Sequence, residues 1–155
     1  LIKAYGLQGK PQEAIKVLDI MKENQVHPTE VTYGNVINIC IKHDLLDKAF
    51  DLFKELTINK LSMNTILCTT LIKAYSKKEQ PEVILNIYNE MKKYSFSKPS
   101  KITVHTMMEA FALCNVTEKS LIILNELSSI GITPDVITIS IIIKGFVKEQ
   151  RMYKA

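Results

Sequence analysis

The chain has 155 residues, of which 46% are apolar, and a formal net charge of +4. No apolar run approaches the ~20 residues needed to cross a bilayer, so no membrane partner is expected. The three cysteines, Cys40, Cys68 and Cys114, show no CxxC spacing, which argues against a zinc or dithiol site and leaves structural thiols of a reducing compartment.

In chain order, Leu1, Ile2 and Tyr5 supply the core face of a first helix, and Gly9-Lys10-Pro11 make a turn. Ala14, Val17, Leu18 and Met21 continue the core on a second helix, and His27-Pro28-Thr29 closes the unit. The stretch from Glu30 to Asn64 then gives a complete helical pair. Tyr33, Val36, Ile37 and Cys40 gather on one face at helical spacing, with Val31, Gly34, Asn38 and Lys42 on the opposite face. After a turn at His43-Asp44-Leu45, a second helix is expected to bury Ala49, Phe50, Leu52, Phe53 and Leu56. Neither helix can cover its apolar face alone, so each must pack on its partner and on a neighbouring pair.

The same pattern recurs from Thr65 to Ser100, with one extra residue in its closing loop, from Lys101 to Asp135, and from Val136 to Ala155. Ala4-Tyr5, Ala74-Tyr75, Ala110-Phe111 and Gly145-Phe146, with Ile39-Cys40 in the matching place, step along the chain by 35, 35, 36 and 35 residues. Such a fixed period marks a stacked repeat array. The array is expected to be all-α, with about nine helices. Residues 1–29 and 136–155 form partial repeats, and 30–64, 65–100 and 101–135 form complete ones. The first unit opens part-way through its first helix, so a piece of a longer array is expected. Apolar surface at Leu1, Ile2, Ile142 and Phe146 should then lack one neighbour and permit end-to-end self-association. The small residues Ala4, Ala74, Ala110 and Gly145 should mark the closest helix approaches, and Ile39 a wider one.

VTYGNVI at 31–37, LDKAFDLFKEL at 46–56, EAIKVLDIMKENQVHP at 13–28 and GITPDVIT at 131–138 resemble the pentatricopeptide repeat, and the likeness runs over essentially the whole chain. A tetratricopeptide array would step by 34 residues and usually carry Trp, which is absent here. The resemblance implies a right-handed α-solenoid whose first helices line a groove for single-stranded RNA, one nucleotide per repeat. It also implies a mitochondrion or plastid as location, and RNA processing, stability or translation as the setting.

The second residue of each unit is Val31, Ile66, Ile102 or Ile137. In the family this residue wedges between bases; plain packing between adjacent first helices is the alternative. Three residues on stand Gly34, Thr69, His105 and Ser140. By resemblance these select the base together with the last residue of the unit, Asn64, Ser100 or Asp135. Thr29 holds that last place in the first unit. Asn64 leans toward a base with an amino group, Asp135 toward a keto base and Thr69 toward a purine, and the extra loop residue before Ser100 can displace it. Thr29, Asn64, Ser100 and Asp135 are equally good helix N-caps, and the two roles are compatible.

Lys3, Lys73 and Lys144, and beyond them Lys42, Lys77 and Lys148, form a basic row on the first-helix face, broken by Asn38 and Glu109. Such a row suits phosphates, although a solvated lysine face is the commoner fate. His105 and Glu109 share one helix face, but nothing supplies a further ligand, so no metal, cofactor or catalysis is expected. The rival to RNA binding is a protein-binding scaffold within a larger ribonucleoprotein or protein assembly.

Overall fold

The computed structural model describes residues 1–61, 65–93 and 99–150. Among them are nine α-helices, one 3-10 turn at Leu127–Ile130 and no strand. The helices are α1 (Ile2–Leu7), α2 (Pro11–Glu23), α3 (Glu30–Lys42), α4 (Leu46–Ile58), α5 (Thr65–Lys77), α6 (Pro81–Lys93), α7 (Lys101–Leu113), α8 (Glu118–Glu126) and α9 (Val136–Lys148). The first helices of successive pairs, α3, α5, α7 and α9, are each 13 residues long. The chain divides into two compact units, Leu1–Leu67 and Cys68–Ala155.

The backbone carries the period as clearly as the side chains do. Each first helix ends at a residue in the left-handed region: Gly9, Asp44, Glu79, Asn115 and Gln150, at steps of 35, 35, 36 and 35. The residue after it returns an N–H to the helix, as in Lys10 N to Tyr5 O and Leu45 N to Cys40 O. Gln80 N to Tyr75 O and Val116 N to Phe111 O repeat the same bond. This is the Schellman closure, which satisfies carbonyls that a helix end leaves open. At the other end, Thr29, Ser100 and Asp135 each accept the N–H three residues on, from Thr32, Thr103 and Thr138. Asn64 lies outside the described residues. Pro11 and Pro81 open α2 and α6, where a missing N–H costs nothing.

In the first unit α1 packs on α2 and α3, and α3 on α4. The core is Tyr33, Val36, Ile37 and Cys40 of α3 against Ala49, Leu52, Phe53 and Leu56 of α4 and Ala14, Ile15 and Leu18 of α2. Phe50, expected in this core, is only half-buried. It stacks on Phe53 at 6.2 Å, and the Lys54 ammonium stands 4.3 Å above its ring. Across the pairs, Lys22 Nζ bridges to Glu55 Oε1 at 2.7 Å, and the Tyr33 hydroxyl donates to the same oxygen at 2.9 Å. Burial, and then that bond, push the Tyr33 phenol up to about 12.

In the second unit α7 packs on α6, α8 and α9. Its core includes Val104, Met107, Met108 and Phe111 of α7 with Ile142 and Phe146 of α9. The Lys92 to Glu126 bridge at 2.7 Å joins α6 to α8 as Lys22 to Glu55 joins α2 to α4, and Tyr88 again donates to the glutamate. Cys40 and Cys68 are buried and Cys114 half-buried. Burial pushes the Cys68 thiol up to about 12, consistent with unreactive packing residues.

The small residues divide. Gly145 is at a close approach: a Cβ there would lie 2.7 Å from Thr117 Cγ2 and 3.0 Å from Ala112 Cβ. Ala110 is buried, Ala74 half-buried and Ala4 exposed. Ile39 does not widen its contact as expected, because the facing residue on α1 is Gly6, where a Cβ would lie 2.7 Å from Ile39 Cδ1. The bulk at one register is absorbed by a glycine at the other. The uncovered apolar surface also differs from expectation. Ile142 and Phe146 are 6% and 0% exposed, since both point into the core with α7, whereas Ile139, Ile143 and Val147 on another face of α9 are 43%, 42% and 49% exposed.

Candidate nucleic-acid interface

The start of each first helix places one β-branched apolar side chain in water. Val31, Ile66, Ile102 and Ile137 are 62%, 72%, 67% and 58% exposed, although each sits on a helix whose core face is buried. Packing between adjacent first helices, the alternative use for these residues, would have covered them. One turn on, Gly34, Thr69, His105 and Ser140 are half-buried. The space at Gly34 is open, for a Cβ there would meet nothing within 4 Å.

The last residues of the units serve the backbone first. Thr29 Oγ accepts from Thr32 N and meets Thr32 Oγ at 3.2 Å. Ser100 Oγ accepts from Thr103 N at 3.2 Å and meets Thr103 Oγ at 3.0 Å. Asp135 Oδ1 accepts from both Thr138 N and Thr138 Oγ at 2.8 Å, and Oδ2 takes the Lys101 ammonium at 2.8 Å. The Lys101 ammonium, and then the two Thr138 bonds, hold the Asp135 carboxyl well below the usual carboxylate range. His105 closes the cluster, with Nε2 at 2.9 Å from Thr138 Oγ and 3.6 Å from Asp135 Oδ1. The structure thus joins two expected selectors, His105 and Asp135, through a threonine that the sequence reading had passed over. A Thr at the third helical position after Thr29, Ser100 and Asp135 was the available signal.

Lys3, Lys42, Lys73, Lys77, Lys144 and Lys148 are all exposed. Lys3 with Lys42, and Lys144 with Lys148, line a recurring cleft between consecutive first helices. Between α1 and α3 it measures about 260 Å³, with Lys3, Asn38 and Lys42 among its lining residues. Between α7 and α9 it measures about 310 Å³, with Glu109, Lys144 and Lys148 in the same registers. Every residue lining the second lies 106 positions after its counterpart in the first, which is three repeats. Lys148 is partly engaged, since its ammonium approaches Ala112 O at 3.4 Å and Leu113 O at 3.3 Å at the end of α7. Among the described residues no group of side chains could hold a metal ion, and no helix is long and apolar enough to cross a membrane.

Helical pairs repeated at a fixed period, with an exposed apolar residue near the start of α3, α5, α7 and α9, define a repeat protein of the α-solenoid class. The chain belongs to the pentatricopeptide repeat family: the family model described as "Pentatricopeptide repeat-containing protein" matches residues 1–91. It is 25% identical over 149 residues to a chloroplastic pentatricopeptide repeat-containing protein of Arabidopsis thaliana, covering 94% of this chain and 19% of that one. It is 37% identical over 83 residues to the mitochondrial 15S rRNA processing factor CCM1 of Candida dubliniensis, covering 52% of this chain and 11% of that one. The chain therefore spans only a small part of these relatives. The crystal structure of the maize pentatricopeptide repeat protein PPR10 superposes with a TM-score of 0.73 at 19% identity, over 99% of this chain and 22% of that one. The same protein in complex with an 18-nt psaJ RNA element superposes with a TM-score of 0.63.

Proposed function

We propose that this chain binds single-stranded RNA with base selectivity, one nucleotide per repeat, as part of RNA processing in a mitochondrion or plastid. The observation that carries the reading is the exposure of Val31, Ile66, Ile102 and Ile137 at one register on four helices. An isolated exposed isoleucine needs no explanation, whereas four at one register beside half-buried polar residues make slots for flat rings. The repeats at 30–64, 65–100 and 101–135, with partial ones at 1–29 and 136–155, act as one array in this reading. Gly34, Thr69, His105 and Ser140 select the base with Thr29, Asn64, Ser100 and Asp135. Lys3, Lys42, Lys73, Lys77 and Lys144 meet phosphates, with Lys148 shared between a phosphate and the end of α7. The names of the relatives, chloroplastic and mitochondrial, and the rRNA processing role of one of them support the setting. The segment acts by binding, with no catalytic step of its own.

The second reading is a scaffold inside a ribonucleoprotein. A small ribosomal subunit protein of Arabidopsis thaliana, 26% identical over 123 residues, favours it. Anisotropy titrations with randomised single-stranded RNA decide between the two. Binding that weakens with salt and is lost to competing RNA supports the first reading. Absence of binding at low salt overturns it in favour of the scaffold.

A further inference from the structure

His105 stands at the base-selecting register of α7, and its imidazole is held from one side only. Nε2 lies 2.9 Å from Thr138 Oγ, and Thr138 is fully buried. That hydroxyl has one hydrogen to give, and Asp135 Oδ1 takes it at 2.8 Å. An ionised carboxylate is a stronger acceptor than an imidazole nitrogen, and Lys101 at 2.8 Å from Oδ2 keeps it ionised. Thr138 Oγ therefore offers His105 only a lone pair, so Nε2 carries the hydrogen. A neutral imidazole protonated at Nε2 has a bare lone pair at Nδ1. Among the described residues Nδ1 has no hydrogen-bond partner, and the side chain keeps 17% of its surface exposed.

We infer that His105 is a specificity-determining residue that offers Nδ1 as a hydrogen-bond acceptor to the base facing the 101–135 repeat. It selects a base edge that places an N–H at that point over one that places a keto oxygen or a bare ring nitrogen there. This rests on the RNA-binding reading above. The corresponding residues of the other repeats lack such a commitment: Gly34 has no side chain, and the hydroxyls of Thr69 and Ser140 can donate or accept. Thr138 and Asp135 act as positioning residues that fix the tautomer.

The charged groups near the ring are Asp135 from the loop into α9, 3.6 Å from Nε2, and Lys101 at the start of α7, paired with that carboxylate. Glu109 follows one turn along α7, α9 contributes the neutral Thr138, and among the described residues α6 and α8 place no charged group within ion-pair distance of the ring.

Two measurements on the 155-residue chain test this. Imidazole nitrogen NMR, with His105→Gln to assign the signals, should show the Nε2–H tautomer. Selection from a randomised RNA pool should show, at one nucleotide, about a five-fold preference for bases that place an N–H there, the size of one neutral hydrogen bond. His105→Gln, whose amide both donates and accepts, should bind RNA and lose that preference. A hydrogen found on Nδ1 would overturn the inference, as would RNA binding whose preference at that nucleotide His105→Gln leaves unchanged. RNA binding absent despite the Nε2–H tautomer would instead overturn the RNA reading, and with it the base contact.

Discussion

Individual side chains carry the functional argument because their exposure contradicts their chemistry. Ile102 is 67% exposed at the start of α7, so truncating it should leave stability within about 0.5 kcal/mol. If it grips a base, Ile102→Ala should weaken RNA binding by about 1 kcal/mol, the low end for loss of a stacking contact. Paired thermal melts and anisotropy titrations check this, and a fall in melting temperature without loss of affinity would assign Ile102 to packing. Gly145 shows the opposite relation. It is buried, and any added side chain meets Thr117 and Ala112, so Gly145→Val should cost about 1–3 kcal/mol by chemical denaturation. The exposed isoleucines and Gly145 could be read from register alone. The balance between Gly6 and Ile39 could not, because each departs from the pattern and only their contact shows why both are allowed.

At the scale of elements, helix starts and turn positions were legible, and the backbone conformation that closes each helix was not. Thr29, Ser100 and Asp135 are side-chain caps, a role that residue type and position announce. Replacing Ser100 by Ala should cost about 1 kcal/mol, the usual worth of such a cap. The cap at Asp135 has a pH signature. Its carboxyl lies below its unfolded-state value, so its contribution is fully present above about pH 4 and is lost as pH falls through the folded-state value. Asp135→Asn keeps a capping oxygen but cannot titrate, so its acid-unfolding curve should be flatter than that of the wild type. The ends close on left-handed residues that are mostly not glycine: Asp44, Glu79, Asn115 and Gln150 among the first helices. Sequence gives no sign of such a conformation when the residue is Glu. Glu79 is exposed with φ of 54°, so Glu79→Gly should stabilise the chain by about 0.5–1 kcal/mol, the strain relieved less the entropy of glycine. A denaturant midpoint unchanged or lowered would mean that the turn carries no strain.

For the molecule as a whole, a 35-residue period fixed the class of fold before any contact was known, because each pair must borrow its neighbour to bury its apolar face. Charge behaves differently. A net charge of +4 says little about a partner, and only the helical register shows that lysines recur where consecutive first helices meet. Register could not show that Lys148 also lies against two carbonyls some 35 residues back, since that needs the packed pair. Lys148→Ala therefore mixes loss of binding with loss of structure and is a poor probe. Lys73 and Lys77 of α5 are both exposed, with no ion pair recorded for either among the described residues. The double variant Lys73→Ala, Lys77→Ala should fold as the parent does. If both lysines meet phosphates, each releases about 0.7 counterion on a single strand, so the slope of log affinity against log salt should fall by about 1.4. Preferences among bases should stay as they were, because phosphate contacts position the strand without reading it. Anisotropy titrations at several salt concentrations measure the slope directly. An unchanged slope would place the RNA backbone away from these two lysines, and a changed base preference would place them at the bases.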